Sequence, residues 1–118
     1  MKKVYHLSTC STSQAIIKDF ALEKKGFELQ DIKTDKISPA QLDEMKKITG
    51  SFEALFSRRA IKYKTLGLKD MNLVESDYRK YILEEYTFLK RPVIIMDDKI
   101  FVGSEKKNLE VLKKAVGK

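Results

Sequence analysis

Apolar residues follow two rhythms along this chain. Residues 3 to 7 form a short run ending at Leu7 that reads as a buried strand, and a helix-like pattern opens behind it with Ala15, Ile16, Ile17 and Phe20. The small residues Ser8-Thr9-Cys10-Ser11-Thr12-Ser13 join the two. The spacing predicts a first helix over about 12–25, capped by Ser11 or Thr12 and stopped by Gly26. Phe27, Leu29 and Ile32 then stand among polar neighbours, with a slip near Asp31, and predict a second strand over 27–33.

Ser38-Pro39-Ala40-Gln41 is a strong helix start: serine caps, proline takes the first helical position, and Gln41 completes a capping box. Leu42, Met45 and Ile48 make the apolar stripe, and Gly50 closes it. Strand, helix, strand, helix predicts parallel first strands joined by a right-handed crossover. Residues 51–66 carry Phe52, Leu55, Phe56, Ala60 and Tyr63 near a helical period, ended by Gly67. Asn72-Leu73-Val74-Glu75 reads as another capping box, opening a helix through Tyr78, Ile82 and Leu83. Val93-Ile94-Ile95-Met96 suits a buried strand, Asp97-Asp98 a tight turn, and Lys99-Ile100-Phe101-Val102 the hairpin partner. Residues 105–116 complete the chain as a helix with Leu109, Leu112 and Ala115 or Val116 inward. The order is βαβα, an inserted helical segment over about 51–86, then ββα, read as one domain over 1–118.

Composition changes this picture in three ways. Hydrophobic residues at 42% and charged residues at 35% suit a globular protein and exclude a disordered one. There is no apolar run near the ~18 residues of a membrane helix, and the run after Met1-Lys2-Lys3 is too short for a signal peptide. A single cysteine rules out an intrachain disulfide, so a reducing, cytoplasmic setting is expected. The net charge of +7 favours anionic partners, although the lysines are scattered and Arg58, Arg59, Lys62 and Lys64 read as a solvated basic face.

The candidate chemistry sits at the first turn. The only cysteine and the only histidine, Cys10 and His6, lie four residues apart between a strand and a helix N-terminus. A helix dipole and a cationic neighbour stabilise a thiolate, the nucleophilic form of cysteine. The competing reading is a buried, inert thiol beside a packing histidine.

Three motifs carry a resemblance to a known family. Tyr5-His6 with Cys10-Ser11-Thr12-Ser13 is similar to the Tyr-His…Cys-x-Thr-Ser loop of glutaredoxin-linked arsenate reductases. Leu89-Lys90-Arg91-Pro92-Val93-Ile94 resembles the Leu-x-Arg-Pro-Ile-Ile block, and Val102-Gly103 the Val-Gly of shorter Spx-like members. In this order they resemble the ArsC/Spx family over essentially the full length. The resemblance implies an α/β, thioredoxin-like fold with a helical insertion.

For the site, the resemblance implies Cys10 as nucleophile on arsenate or a disulfide, with His6 favouring the thiolate when protonated. Ser11, Thr12, Ser13, Arg91 and Arg59 would hold the oxyanion, and Pro92 would be a cis-proline beside the thiol. Gln14 stands where the family usually has arginine or lysine, and apolar sequence around Val102 replaces a third arginine. No metal and no bound cofactor is implied; glutathione or glutaredoxin would be the external reductant. The expected function is a monothiol oxidoreductase. The alternatives are an Spx-like regulator that binds RNA polymerase, or a member that keeps the fold without catalysis. A small oxyanion or a thiol/disulfide substrate is expected, with neither membrane nor direct nucleic-acid binding.

Overall fold

A computed structural model describes residues 1–117. They fall into two compact units: Met1–Lys36 with the segment from Arg91 onward, and Ile37–Lys90. The elements run β1 (Lys2–His6), α1 (Ser11–Asp19), β2 (Glu28–Asp31), α2 (Pro39–Thr49), α3 (Ile61–Thr65), α4 (Glu75–Glu84), β3 (Val93–Met96), β4 (Lys99–Val102) and α5 (Lys106–Val116), with short 3₁₀ turns between α2 and β3. This is the α/β, thioredoxin-like order, with helices inserted ahead of the terminal ββα.

The first unit is built on one four-stranded sheet in the order β2-β1-β3-β4. β1 runs parallel to β2 and antiparallel to β3, and β3 pairs antiparallel with β4 through the turn at Asp97 and Asp98. The two inner strands supply Val4 and Ile94 to a core shared with Ile16, Ile17, Phe20, Leu22, Phe27, Phe101 and Leu112. Each such aliphatic or aromatic side chain withdrawn from water contributes roughly 1.5–3 kcal/mol, so this core anchors the middle of β1 and the second half of α1.

α1 is shorter than its apolar pattern predicts. It stops at Asp19, not near residue 25, because Ala21 takes a left-handed φ of 51° and the chain turns inward. The Leu22 N–H reaches back to the Ile17 carbonyl at 3.1 Å, and Leu22 is fully buried. A continued helix would place Phe20 and Leu22 about 200° apart around its axis, so only one of them would face the core. β2 is likewise confined to 28–31; Phe27 and Ile32 are buried beyond its ends, and Gln30 is a buried polar residue within it.

In the second unit α2 has the predicted ends. Ser38 Oγ accepts from the Gln41 N–H at 3.1 Å, Gln41 Oε1 accepts from the Ser38 N–H at 3.0 Å, and Gly50 closes the helix at φ 98°, a conformation that disfavours a side chain. The single helix predicted over 51–66 is corrected to a 3₁₀ turn at Glu53–Leu55, an extended link and the short α3. The cause is long-range. Phe56 bridges Leu89, the Ser57 N–H donates to the Phe88 carbonyl at 2.6 Å, and the Lys90 N–H donates to the Leu55 carbonyl at 2.8 Å. The fully buried Phe56 ring packs on Phe88 at 5.0 Å and on the edge of Tyr78 at 4.9 Å. Sheet-like pairing to 88–90 therefore displaces the local helical preference.

α4 begins at Glu75 and not at 73, because Asp77 Oδ2 takes the Val74 N–H at 2.9 Å. Glu75, predicted to close a box with Asn72, instead accepts from the Phe52 N–H at 2.7 Å and the Glu53 N–H at 3.1 Å. The cations here are engaged locally: Arg58 with Glu53 at 2.7 Å, Lys62 with Glu85 at 2.6 Å and Arg79 with Asp43 at 2.9 Å. Arg58 is thus tied to a carboxylate on the face read as merely solvated.

Candidate active site

β1 delivers His6 and Leu7 to the edge of the first turn, and the chain then folds back so that the Cys10 N–H donates to the Leu7 carbonyl at 2.9 Å. Cys10 occupies the N-cap of α1 with extended φ and ψ of −98° and 106°, and the Gln14 N–H donates to its carbonyl at 3.1 Å. The half-buried thiol therefore sits where the first N–H groups of the helix lack intrahelical acceptors. Ser11 and Thr12, exposed, form the first turn with Ser13, whose side chain is fully buried. No acidic side chain occupies that turn, so the positive helix end faces the sulfur uncompensated.

Arg91 reaches the same sulfur from the segment that leads into β3. Its bond to Pro92 is cis, and Pro92 is buried. Burial pushes the Cys10 thiol up. The nearby Ser13 hydroxyl and N–H, followed by the Arg91 guanidinium and its charge, outweigh it, and the thiol ionises below its ordinary value. Ser13 Oγ has no oxygen or nitrogen partner among the described residues. The Ser13 hydroxyl acts on the Cys10 sulfur by lowering the pH at which it ionises. The arrangement favours the thiolate form of Cys10.

His6 ends β1, ahead of the cysteine turn. It is buried, and burial pushes its imidazole below the ordinary value by more than the facing Asp31 carboxylate raises it. Asp31 is the β2 residue in register with His6. Its own carboxyl is held low by the Ser8 hydroxyl and by the N–H groups of Lys33 at 3.1 Å and Ser8 at 3.2 Å. The cation acting on Cys10 is Arg91. His6 is turned instead to Gln14, whose Nε2 lies 3.0 Å from Nδ1 of the ring.

The first unit thus brings together Cys10, Ser13 and Arg91, with His6 one strand-end away in sequence. Arg59 belongs to the second unit, exposed ahead of α3, with its N–H 3.4 Å from Ser57 Oγ. Gln14 and Asp31 are not among the site residues that the sequence predicts. The signal for Asp31 is its register opposite His6, which needs the strand alignment; for Gln14 it is a lone amide in the first turn of a helix that follows a histidine-bearing strand.

The match to known proteins has the same extent as this geometry. The arsenate reductase of Neisseria meningitidis serogroup A is 28% identical over 115 residues, covering 93% of this chain and 96% of the relative. The structure of an arsenate reductase from Vibrio cholerae superposes with a TM-score of 0.72 at 22% identity, covering 95% of each chain. An arsenate reductase (ArsC) related protein from Brucella melitensis gives 0.72 at 22% identity, covering 96% of this chain and 94% of its own. The ArsC family model spans residues 5–112, from the strand that carries His6 through the cysteine turn and Arg91 to the last helix; the chain belongs to the ArsC family.

Proposed function

We propose that this protein is a monothiol oxidoreductase of the arsenate-reductase type, with Cys10 as the nucleophile and an outside thiol as reductant. The observation that carries the reading is the half-buried Cys10 at the N-terminus of α1, ionised at lower pH by Ser13 and Arg91. The Neisseria meningitidis relative is named an arsenate reductase, which supports an oxyanion substrate.

In the proposed reaction the Cys10 thiolate attacks As(V) and displaces one oxygen, which leaves as water after taking up protons. Arg91 and the first N–H groups of α1 offset the charge of the bound oxyanion, an arrangement that is most effective where charge builds in the transition state. A glutathione thiolate then attacks the Cys10 sulfur. The sulfur–arsenic electron pair passes to arsenic, As(III) leaves, and Cys10 remains as a mixed disulfide. The chain has one cysteine, so no second thiol in it can close a ring and expel glutathione. A second outside thiol, free or presented by a glutaredoxin, must reduce that disulfide. In sum, two thiols become one disulfide while arsenate becomes arsenite and water.

Mass spectrometry after incubation with arsenate and glutathione tests this. A glutathione adduct on Cys10, removed faster with glutaredoxin than with glutathione alone and accompanied by arsenite, is the expected result. An unmodified protein with no arsenite released would overturn it.

A further inference from the structure

We propose that Gln14 is a positioning residue: its side-chain amide fixes His6 as the neutral imidazole with the proton on Nε2, and so leaves Arg91 as the side-chain cation acting on Cys10. The tautomer stands on geometry alone; its consequence for the thiol rests on the reading of Cys10 as nucleophile.

The argument begins with the amide. Gln14 Nε2 lies 3.2 Å from the Leu7 carbonyl oxygen and 3.0 Å from His6 Nδ1. A carbonyl oxygen only accepts, so the amide atom beside it must be the NH₂ group; turning the amide over would set oxygen against oxygen. The NH₂ group has two hydrogens. One goes to Leu7, and the other points to Nδ1, which must then offer a lone pair. A neutral ring that accepts at Nδ1 carries its proton at Nε2. An imidazolium would put an N–H at Nδ1 against the amide N–H, two donors facing each other at hydrogen-bond distance.

The surroundings agree with a neutral ring. His6 is 8% exposed, and a buried imidazole resists the charge. The charged group that favours the imidazolium is Asp31 on β2, opposite His6 in the sheet, and that carboxylate already accepts from Ser8 and Lys33. The remaining charged groups of the site are Cys10, past the end of β1, and Arg91, ahead of β3.

Gln14 is well placed for this role because it is bound at both ends. Its backbone N–H holds the Cys10 carbonyl at 3.1 Å, while its side chain holds Leu7 and His6. One residue of the first helical turn thereby ties the end of the strand, the ring and the cysteine backbone together.

The single histidine makes the test unambiguous. Nitrogen-15 NMR of wild type across acid to alkaline pH should show an unprotonated Nδ1 and a protonated Nε2 at neutral pH, with a titration midpoint below the ordinary value of about 6.5. Gln14→Leu should mix the two tautomers and move the midpoint up. Gln14→Glu, which offers an acceptor, should move the proton to Nδ1 and the midpoint above that of Gln14→Leu. In parallel, His6→Asn should shift the Cys10 alkylation midpoint less than Arg91→Ala. A wild-type ring that is charged or protonated at Nδ1 near neutral pH would overturn the proposal, as would a Gln14→Leu spectrum indistinguishable from wild type or a larger thiol shift with His6→Asn. The expected ring spectra with no mass adduct on Cys10 would instead remove the nucleophile reading while leaving the tautomer in place.

Discussion

The two units of this chain hold their polar groups by different means. In the first, a central sheet fixes a short turn, and the turn's backbone and buried hydroxyl converge on one sulfur. In the second, there is no extended sheet among the described elements. Phe56 stacks with Phe88 and meets Tyr63 and Tyr78 edge-on, and carboxylates cap and pair the surrounding helices. The second unit's arginines at 58 and 79 are matched to acids, whereas the arginine at 91 is directed at a thiol. Cations paired to carboxylates organise structure; a cation beside an ionisable sulfur organises reactivity.

The largest expected effect falls on the first unit alone. Cys10→Ser should abolish adduct formation with oxidised glutathione entirely, followed by intact mass. At acidic pH, where the thiol is protonated, its thermal unfolding should match wild type, because the thiol is only half-buried; a large drop in melting temperature there would make Cys10 a packing residue and erase the contrast. Next comes the second unit's hub. Phe56→Ala removes a fully buried ring and should cost about 3–5 kcal/mol in denaturant unfolding, a loss that a surface-held unit would not suffer.

Arginine substitutions sharpen the comparison further. Arg91→Ala should move the Cys10 alkylation midpoint up toward the free-thiol value of about 8.5, while Arg58→Ala, whose partner is Glu53, should leave it in place. Equal shifts would mean diffuse charge. The sign carries into stability. The folded thiol ionises below its unfolded value, so the ionised form stabilises the fold above the unfolded value, and that contribution is lost as pH falls through the folded one. Arg91→Ala should shrink this alkaline gain in melts run at several pH values. The smallest effect belongs to a local device. Ser38→Ala breaks one half of the α2 capping box and should cost about 1 kcal/mol in the same unfolding assay, with no change in thiol reactivity.

These residues also separate what is legible in the chain from what is not. The α2 boundaries are readable because Ser38, Pro39, Gln41 and Gly50 act within a few positions of one another. The β3–β4 hairpin is readable for the same reason: a continuous apolar run, two aspartates and an alternating return strand specify it locally. The end of α1 is not, since no glycine or proline marks Ala21 and only the fit of Leu22 into the core demands the turn. The break at Phe56 is hidden by its partners, more than thirty positions away at Phe88 to Lys90. Within the site, Cys10, Ser13 and Arg91 come from motifs that carry the family resemblance. The contact between Gln14 and His6 has no such motif, because it depends on how a strand end and a helical turn meet.

Glu75 gives the second unit a history as well as a shape. Its carboxylate holds N–H groups 22 and 23 positions earlier, so the 52–55 turn gains its cap only after the chain has closed a loop of that length. Closing a loop costs entropy before any contact rewards it, by about 0.6 kcal/mol for each doubling of length. We therefore expect the cap to form late in folding and open early in unfolding, which stopped-flow folding and unfolding rates of wild type and Glu75→Ala would check. Its loss, in Glu75→Ala, should act on the clock more than on the path: the unit should come apart faster while assembling at nearly its original rate, which places Glu75 among the residues that set how long the native state lasts.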